Sequence, residues 1–328
     1  PILDSNGATS NFNYCIRIEF YRGKAYCRVY NTIISVEENY ALADAAFVLP
    51  NLNHKAVVYA ADGSQVLSST IDSTKVSLLQ DDPDSYLLKT WADESVISDR
   101  FQGWITAGNV SAGLRYFWQM YPKSLEVDET EIRLGLLPQI SENKDSFKPC
   151  NQVVDYYRFA AGEARTHELM LYFTDAETKQ TDATTVFASL NEPLVPHADY
   201  EWYVNSGVFG DLSVRDTQRF PEFEKLVDDS LNMILSRREN LKLYGDRNFG
   251  DDLLGGNGMW NNCEYDYPHV GVVQFVRGAN KEWYNSFALP AARHMYNIDY
   301  ANAGKWAGLV HPHTVWHNSG TPKVGSHS

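Results

Sequence analysis

Histidine is the side chain best suited to exchange protons near neutral pH, and its distribution along this chain is uneven. His54, His167 and His197 are scattered over the first two hundred residues, whereas His269, His294, His311, His313, His317 and His327 all fall in the last 60. Among them stand Trp260, Asn261, Asn262, Tyr265, Asp266 and Arg293. That set combines groups that move protons with groups that grip a carboxylate, bidentate from Arg and as uncharged donors from Asn. A metal reading is weaker. His313 and His317 have the i, i+4 spacing of two ligands on one helix face, but His311-Pro312-His313 and Asn318-Ser319-Gly320 read as loop. His167-Glu168 opens a zincin-like motif whose second ligand position holds Leu171. No metal ligands are assigned and no cofactor is expected; a divalent cation such as calcium is the one addition the chemistry admits. The glycine-rich run Gly250 to Gly258 lacks the Gly-Lys-Ser/Thr ending of a phosphate loop.

Two kinds of element must position these residues. Up to about residue 205 the pattern is of short strands, including Tyr14–Tyr21, Lys24–Val36, Ala56–Ala61, Glu131–Leu137 and Glu168–Thr174. Short helical pieces are expected around Gly113–Met120 and Ala183–Leu190. Many short strands with few helices argue for an antiparallel β-sandwich. From Pro221 the period becomes helical: Phe223, Leu226, Val227, Ser230, Leu231, Ile234 and Leu235, ending near Arg237-Arg238. A second helix is expected from Pro268 to Val276, with Arg277-Gly278 closing it and Asp266 as a candidate N-cap. A third runs from Lys281 to about Ile298, bent at Pro290.

Composition narrows the function classes. The chain has 328 residues, with 28 Lys+Arg against 42 Asp+Glu, a formal charge of -14. So acidic a surface repels phosphate backbones, and no compensating basic run stands out, so nucleic acid is not an expected partner. Nor is a membrane, since no apolar stretch approaches the ~20 residues a spanning helix needs. Aromatic residues make up 13%, which suits stacking on sugar rings as well as a β-rich core. Four cysteines are too few for a disulfide scaffold. If Arg22-Gly23 forms a two-residue hairpin turn, Cys15 faces Tyr30 and Cys27 faces Ile18, which puts the two thiols on opposite faces of the sheet.

Four segments carry a resemblance: Gly113-Leu114-Arg115-Tyr116-Phe117-Trp118-Gln119-Met120-Tyr121-Pro122-Lys123-Ser124-Leu125, Gly162-Glu163-Ala164-Arg165-Thr166-His167-Glu168, Trp260 to His269, and Ala291 to Asp299. In this order they resemble the exo-rhamnogalacturonan lyase and YetA-like proteins. The resemblance implies a multidomain β + α fold, an antiparallel β-sandwich (residues 1–205) followed by an incomplete α/α toroid (206–328). It implies a polysaccharide lyase, secreted or extracellular with the periplasm or cytoplasm as the alternative, that cleaves an acidic, rhamnogalacturonan-like polymer by β-elimination. Such an enzyme must neutralise the uronate carboxylate, remove the C5 proton and protonate the departing O4. The candidate catalytic residues are then Tyr265, His269, His294 and Arg293, and the candidate substrate-binding residues are Asn261, Asn262, Trp260, His311 and His317. His167 and Glu168 are expected to be structural. Two other classes stay open: a glycoside hydrolase using a pair among Glu264, Asp266 and Asp299, about 5–9.5 Å apart, and a non-catalytic sugar-binding scaffold. A toroid this short would leave Phe287, Ala291 and Met295 exposed, so the chain is expected to be a piece of a longer protein, its ring completed by further polypeptide.

Overall fold

The computed structural model describes residues 10–37, 40–50, 57–61, 66–70, 75–90, 93–139, 157–173, 180–254 and 259–311. His313, His317 and His327, the residues 255–258 of the glycine-rich run and Ala56 at the head of one expected strand lie outside them.

Among the described residues, fifteen strands precede the first helix: β1 (Phe12–Phe20), β2 (Tyr26–Ser35), β3 (Tyr40–Leu42), β4 (Ala45–Pro50), β5 (Val57–Ala61), β6 (Val66–Thr70), β7 (Val76–Asp82), β8 (Ser85–Lys89), β9 (Glu94–Ile97), β10 (Trp104–Ala107), β11 (Val110–Leu114), β12 (Lys123–Val127), β13 (Glu131–Leu137), β14 (Tyr157–Phe159) and β15 (Ala164–Phe173). They form a seven-stranded sheet, β1-β2-β15-β11-β10-β5-β6, and a six-stranded sheet, β4-β13-β12-β7-β8-β9, with β3 and β14 paired separately. The pairings are antiparallel. One core joins the two main sheets: Val29, Ala112, Leu114 and Leu169 from the first meet Leu78, Leu125, Ile132 and Leu134 from the second. Each such branched side chain, fully buried, contributes roughly 1.5–3 kcal/mol. β2 shows why the sequence folds this way, because its inward positions Cys27, Val29, Asn31, Ile33 and Ser35 alternate with half-buried ones.

The first hairpin departs from the expected register by two residues. Cys15 pairs with Thr32, and Cys27 with Phe20, because the strands stop at Phe20 and resume at Tyr26, making a longer connection than a two-residue turn. An even shift preserves facing, so Cys15 is exposed and Cys27 buried, each with a free thiol. The helix expected at Gly113–Met120 is also absent. Gly113 and Leu114 finish β11, and the Arg115 amide donates to Glu168 O (2.9 Å), prolonging the ladder by one residue. Tyr116 then turns the chain with a left-handed backbone, φ 56°.

The helices are α1 (Gln180–Asn191), α2 (Tyr200–Asn205), α3 (Pro221–Asn240), α4 (Tyr267–Val276) and α5 (Leu289–His294), the last flanked by π turns at Trp283–Ala288 and Met295–Asp299. α1 covers the outer face of the large sheet, with Phe187 stacked on Trp104 at 5.3 Å. α3, α4 and the helix around α5 share a second core of Val227, Leu231, Ile234, Tyr267, Trp283, Phe287 and Ala291. Phe287 and Ala291 are therefore buried by their own neighbours, contrary to the expectation that they would be left bare. Arg277, at the end of α4, ties that helix to α3 through a buried two-point contact with Glu224 (2.5 and 3.3 Å). No described helix is long and apolar enough to cross a membrane.

Candidate functional site

Two polar centres and one cleft lie where the sheets meet the helices. The first centre is built by a close approach. Gly250 has φ +109°, and a Cβ there would collide with the Pro290 carbonyl and come within 2.9 Å of His294 Cβ. Only glycine lets this loop touch α5. The approach delivers Asp251, whose Oδ1 accepts the backbone N–H groups of Asp252 (2.7 Å), Asn261 (3.2 Å) and Asn262 (2.9 Å). Its Oδ2 lies 3.4 Å from His294 Nε2. Asp299 approaches the same nitrogen through Oδ1 at 3.3 Å. His294 and Asp299 are five residues apart, a spacing that would separate them by about 140° around an α-helix. The π turn Met295–Asp299, closed by Tyr300 N–H to Met295 O (3.1 Å), is wider and brings them onto one side.

The rest of this centre is also enclosed. The Asn262 amide donates to Ala291 O at 2.9 Å and lies 3.5 Å from Asp299 Oδ2, which the Cys263 thiol also meets at 3.4 Å. Burial, and then the neighbouring Asp299 carboxylate, push the Cys263 thiol pKa far upward. His311 is fully buried, its backbone N–H held by Asp299 O at 2.7 Å. Gly250→Ala is expected to destabilise the chain by about 2–4 kcal/mol, since strained φ and a backbone collision act together. Chemical denaturation measures this; a loss below 1 kcal/mol would mean the loop can step away from α5 at little cost.

The second centre surrounds Glu168 on β15, which is 2% exposed. Its Oε2 accepts from Arg115 (3.0 Å) and Arg293 (3.2 Å), and Arg28 stands 3.7 Å from Oε1. Arg293 also donates to Thr166 O (3.2 Å), and Thr166 Oγ1 donates to Asn297 Oδ1 (2.8 Å). Glu168 thus fastens the helix around α5 to the sheet. His167 beside it is buried, and burial first, then the Lys123, Arg165 and Arg293 charges, drives its pKa well below the ordinary imidazole value. The Arg115 and Arg293 guanidinium carbons lie 4.7 and 5.5 Å from the centre of the Tyr116 ring.

Tyr116 opens onto a cleft of about 810 Å³ between the sandwich and the helices, lined also by Arg115, Trp118, His197, Arg238 and Tyr244. Its best-defined charge is Arg238. Pro290 has no N–H to give the carbonyl four residues back, so Ser286 O is left over from the helix. Arg238 Nη1 takes it at 2.6 Å. Nε and Nη2 of the same guanidinium are buried with no hydrogen-bond partner among the described residues, and burial lowers its pKa from the ordinary value. At the rim, Arg100 lies 4.1 Å over Trp118 and donates to Glu239 (2.7 Å). That bond first, with those from Lys242 and Tyr244, holds the Glu239 carboxyl down at about 2.

Asn261, Asn262, His294 and His311 come together as the sequence grouped them, but inside the protein. Trp260 is buried against Leu243 and Leu253. Tyr265 is exposed and stacked on Tyr267 (6.0 Å), and His269 is exposed, 3.7 Å from Asp266. Asp266 makes no side-chain cap and has φ 47°. Arg293 points away from its neighbour His294, toward Glu168. Among the described residues, none of the sequence-selected site residues lines the cleft. Asp251, Tyr116, His197 and Arg238 escaped the sequence reading. The signal available for Asp251 was its place in the glycine-rich run, and for Tyr116 its place in the first of the four resembling segments.

Comparison with known proteins yields no matching family model. The chain is similar to the uncharacterized protein YetA of Bacillus subtilis (strain 168), 24% identical over 307 residues, covering 82% of this chain and 35% of YetA. It therefore spans about a third of the length of that relative.

Proposed function

We propose that the chain carries the substrate cleft of a polysaccharide lyase acting by β-elimination on a uronic-acid polymer of the rhamnogalacturonan type. The observation that supports this reading is the cleft itself. It is lined by the guanidinium groups of Arg115 and Arg238 and by the rings of Tyr116, Trp118 and Tyr244, with the carboxylates of Glu192, Glu239 and Glu282 also in its wall. Aromatic faces with a desolvated cation are what a ring bearing a carboxylate requires, and the volume is that of a small-ligand site.

In this reading Arg238 neutralises the uronate carboxylate, which makes the C5 proton removable. His197 is the base: its Nδ1 lies 2.9 Å from Ala198 O and donates to it, leaving Nε2 with a lone pair. Its ring stacks on Tyr200 at 5.2 Å, which fixes the plane. Tyr116 is the acid for the departing O4. Burial raises its phenol pKa even though Arg115 and Arg293 pull the other way, so the proton is there to be given. The helices after residue 220 are the opening of an α/α toroid, and a polymer substrate makes secretion part of the same proposal.

The test is to incubate the chain with pectic and glycosaminoglycan polymers and follow ultraviolet absorbance, which rises only when elimination creates a conjugated unsaturated uronate. We expect absorbance with a rhamnogalacturonan, and its loss in Arg238→Met. Saturated products would establish a hydrolase instead; binding without turnover would establish a sugar-binding scaffold.

A further inference from the structure

We propose that Asp251, His294 and Asp299 bind one divalent transition-metal ion of the zinc class, at a buried site separate from the cleft. The three donor atoms lie within 4.8 Å of one another and all three residues are buried. Both carboxylates converge on a single atom, His294 Nε2, at 3.4 and 3.3 Å. One ring nitrogen carries one proton or one lone pair and cannot serve two carboxylates at once. The separations are also longer than the ~2.7–2.9 Å of a charge-assisted N–H···O bond. They match the edges of a coordination tetrahedron, because donors each ~2.0–2.1 Å from a zinc ion stand about 3.4 Å apart.

The outer contacts have the same logic. Asp251 has Oδ1 held by three backbone N–H groups and Oδ2 turned to His294. Asp299 has Oδ2 met by Cys263 and Asn262 and Oδ1 turned to His294. Each carboxylate is thus steadied through one oxygen by groups other than His294, as carboxylates around a ligated ion are. The wall adds a wholly buried amide, Asn262, whose Oδ1 has no hydrogen-bond partner among the described residues. One imidazole with two carboxylates suits zinc or its neighbours better than calcium, which takes six to eight oxygens. The ion would pin the glycine-rich loop to the helix that carries Arg293.

The experiment uses the full chain stripped with a chelator and titrated with Co²⁺ and Zn²⁺, read by visible absorption and calorimetry. Expected are one ion per chain, a cobalt spectrum of nitrogen and oxygen ligands, and a rise in Tm on adding Zn²⁺. Asp299→Asn and His294→Gln should each weaken binding by roughly 100-fold or more, while His269→Gln leaves it unchanged. Substoichiometric or absent binding in the folded wild-type chain overturns the proposal, as does a thiolate-to-cobalt band that makes Cys263 the ligand. Undiminished affinity in folded Asp299→Asn overturns it too. Because the wild-type stoichiometry and spectrum decide by themselves, a variant that fails to fold does not rescue it.

Discussion

Tyr116→Phe should lower lyase turnover by about 10²–10⁴ while leaving the fold and oligosaccharide binding intact. The substitution removes one oxygen. It keeps the ring that the Arg115 and Arg293 guanidinium groups approach, and it keeps the left-handed turn that presents the ring to the cleft. If the phenol is the acid that protonates O4, kcat falls and KM stays near its wild-type value, because the proton is given only in the transition state. A polymer end with a better leaving group at O4 should recover part of the loss. An unchanged kcat would remove Tyr116 from the chemistry. A raised KM with normal kcat would leave it as a stacking platform only.

The largest expected loss of stability follows from Glu168→Ala, about 3–5 kcal/mol. Two guanidinium groups bond to one oxygen of Glu168 and a third stands beside the other, all at a carboxylate that solvent hardly reaches. Removing it leaves Arg115 and Arg293 facing one another with no counter-charge. Glu168→Gln should lose less, because the amide oxygen still accepts one hydrogen bond. Urea denaturation of both variants, with circular dichroism as the readout, checks the order. Equal and small losses would show that water replaces the carboxylate at little cost.

Much of the scaffold is written locally in the residues. Strand β13 has the expected bounds, and α3 and α4 begin at or next to the prolines that announce them. The four segments that carried the resemblance also meet in space. Arg115, Glu168 and Arg293 join three of them, and Asn262 with Asp299 joins the remaining one to the last. Their meeting could not be read from spacing, because it depends on where β15 lies in the sheet. The turn at Tyr116 was hidden because Leu114, Arg115, Gln119 and Met120 are good helix formers, whereas the ladder to Glu168 decides the backbone. The cleft was hidden for a similar reason. Arg238 reads as an ordinary basic residue in the last turn of a helix until the carbonyl that Pro290 leaves over is found opposite it. His294 and His311 were the converse case, since their place in a histidine-rich stretch was visible and their burial was not.

The two π turns on either side of α5 give this stretch of chain an unusual tolerance of shortening. A π turn spends one residue more than the α turn it replaces, so a single deletion can convert one into the other. A deletion within Trp283–Ala288 that converts the π turn would be absorbed there and leave His294 and Asp299 in phase with Asp251, whereas one in α5 ahead of His294 would turn both by about 100°. A deletion between His294 and Asp299 would leave them four residues apart on an α turn, about 40° around the axis and still on one side. Genetic selection for shortened variants would therefore separate the π turns, where one residue can be lost with the centre kept, from α5, where it cannot. Among sequences related by descent, the two π turns are where a one-residue gap in an alignment would mark a relaxed turn with the local chemistry kept.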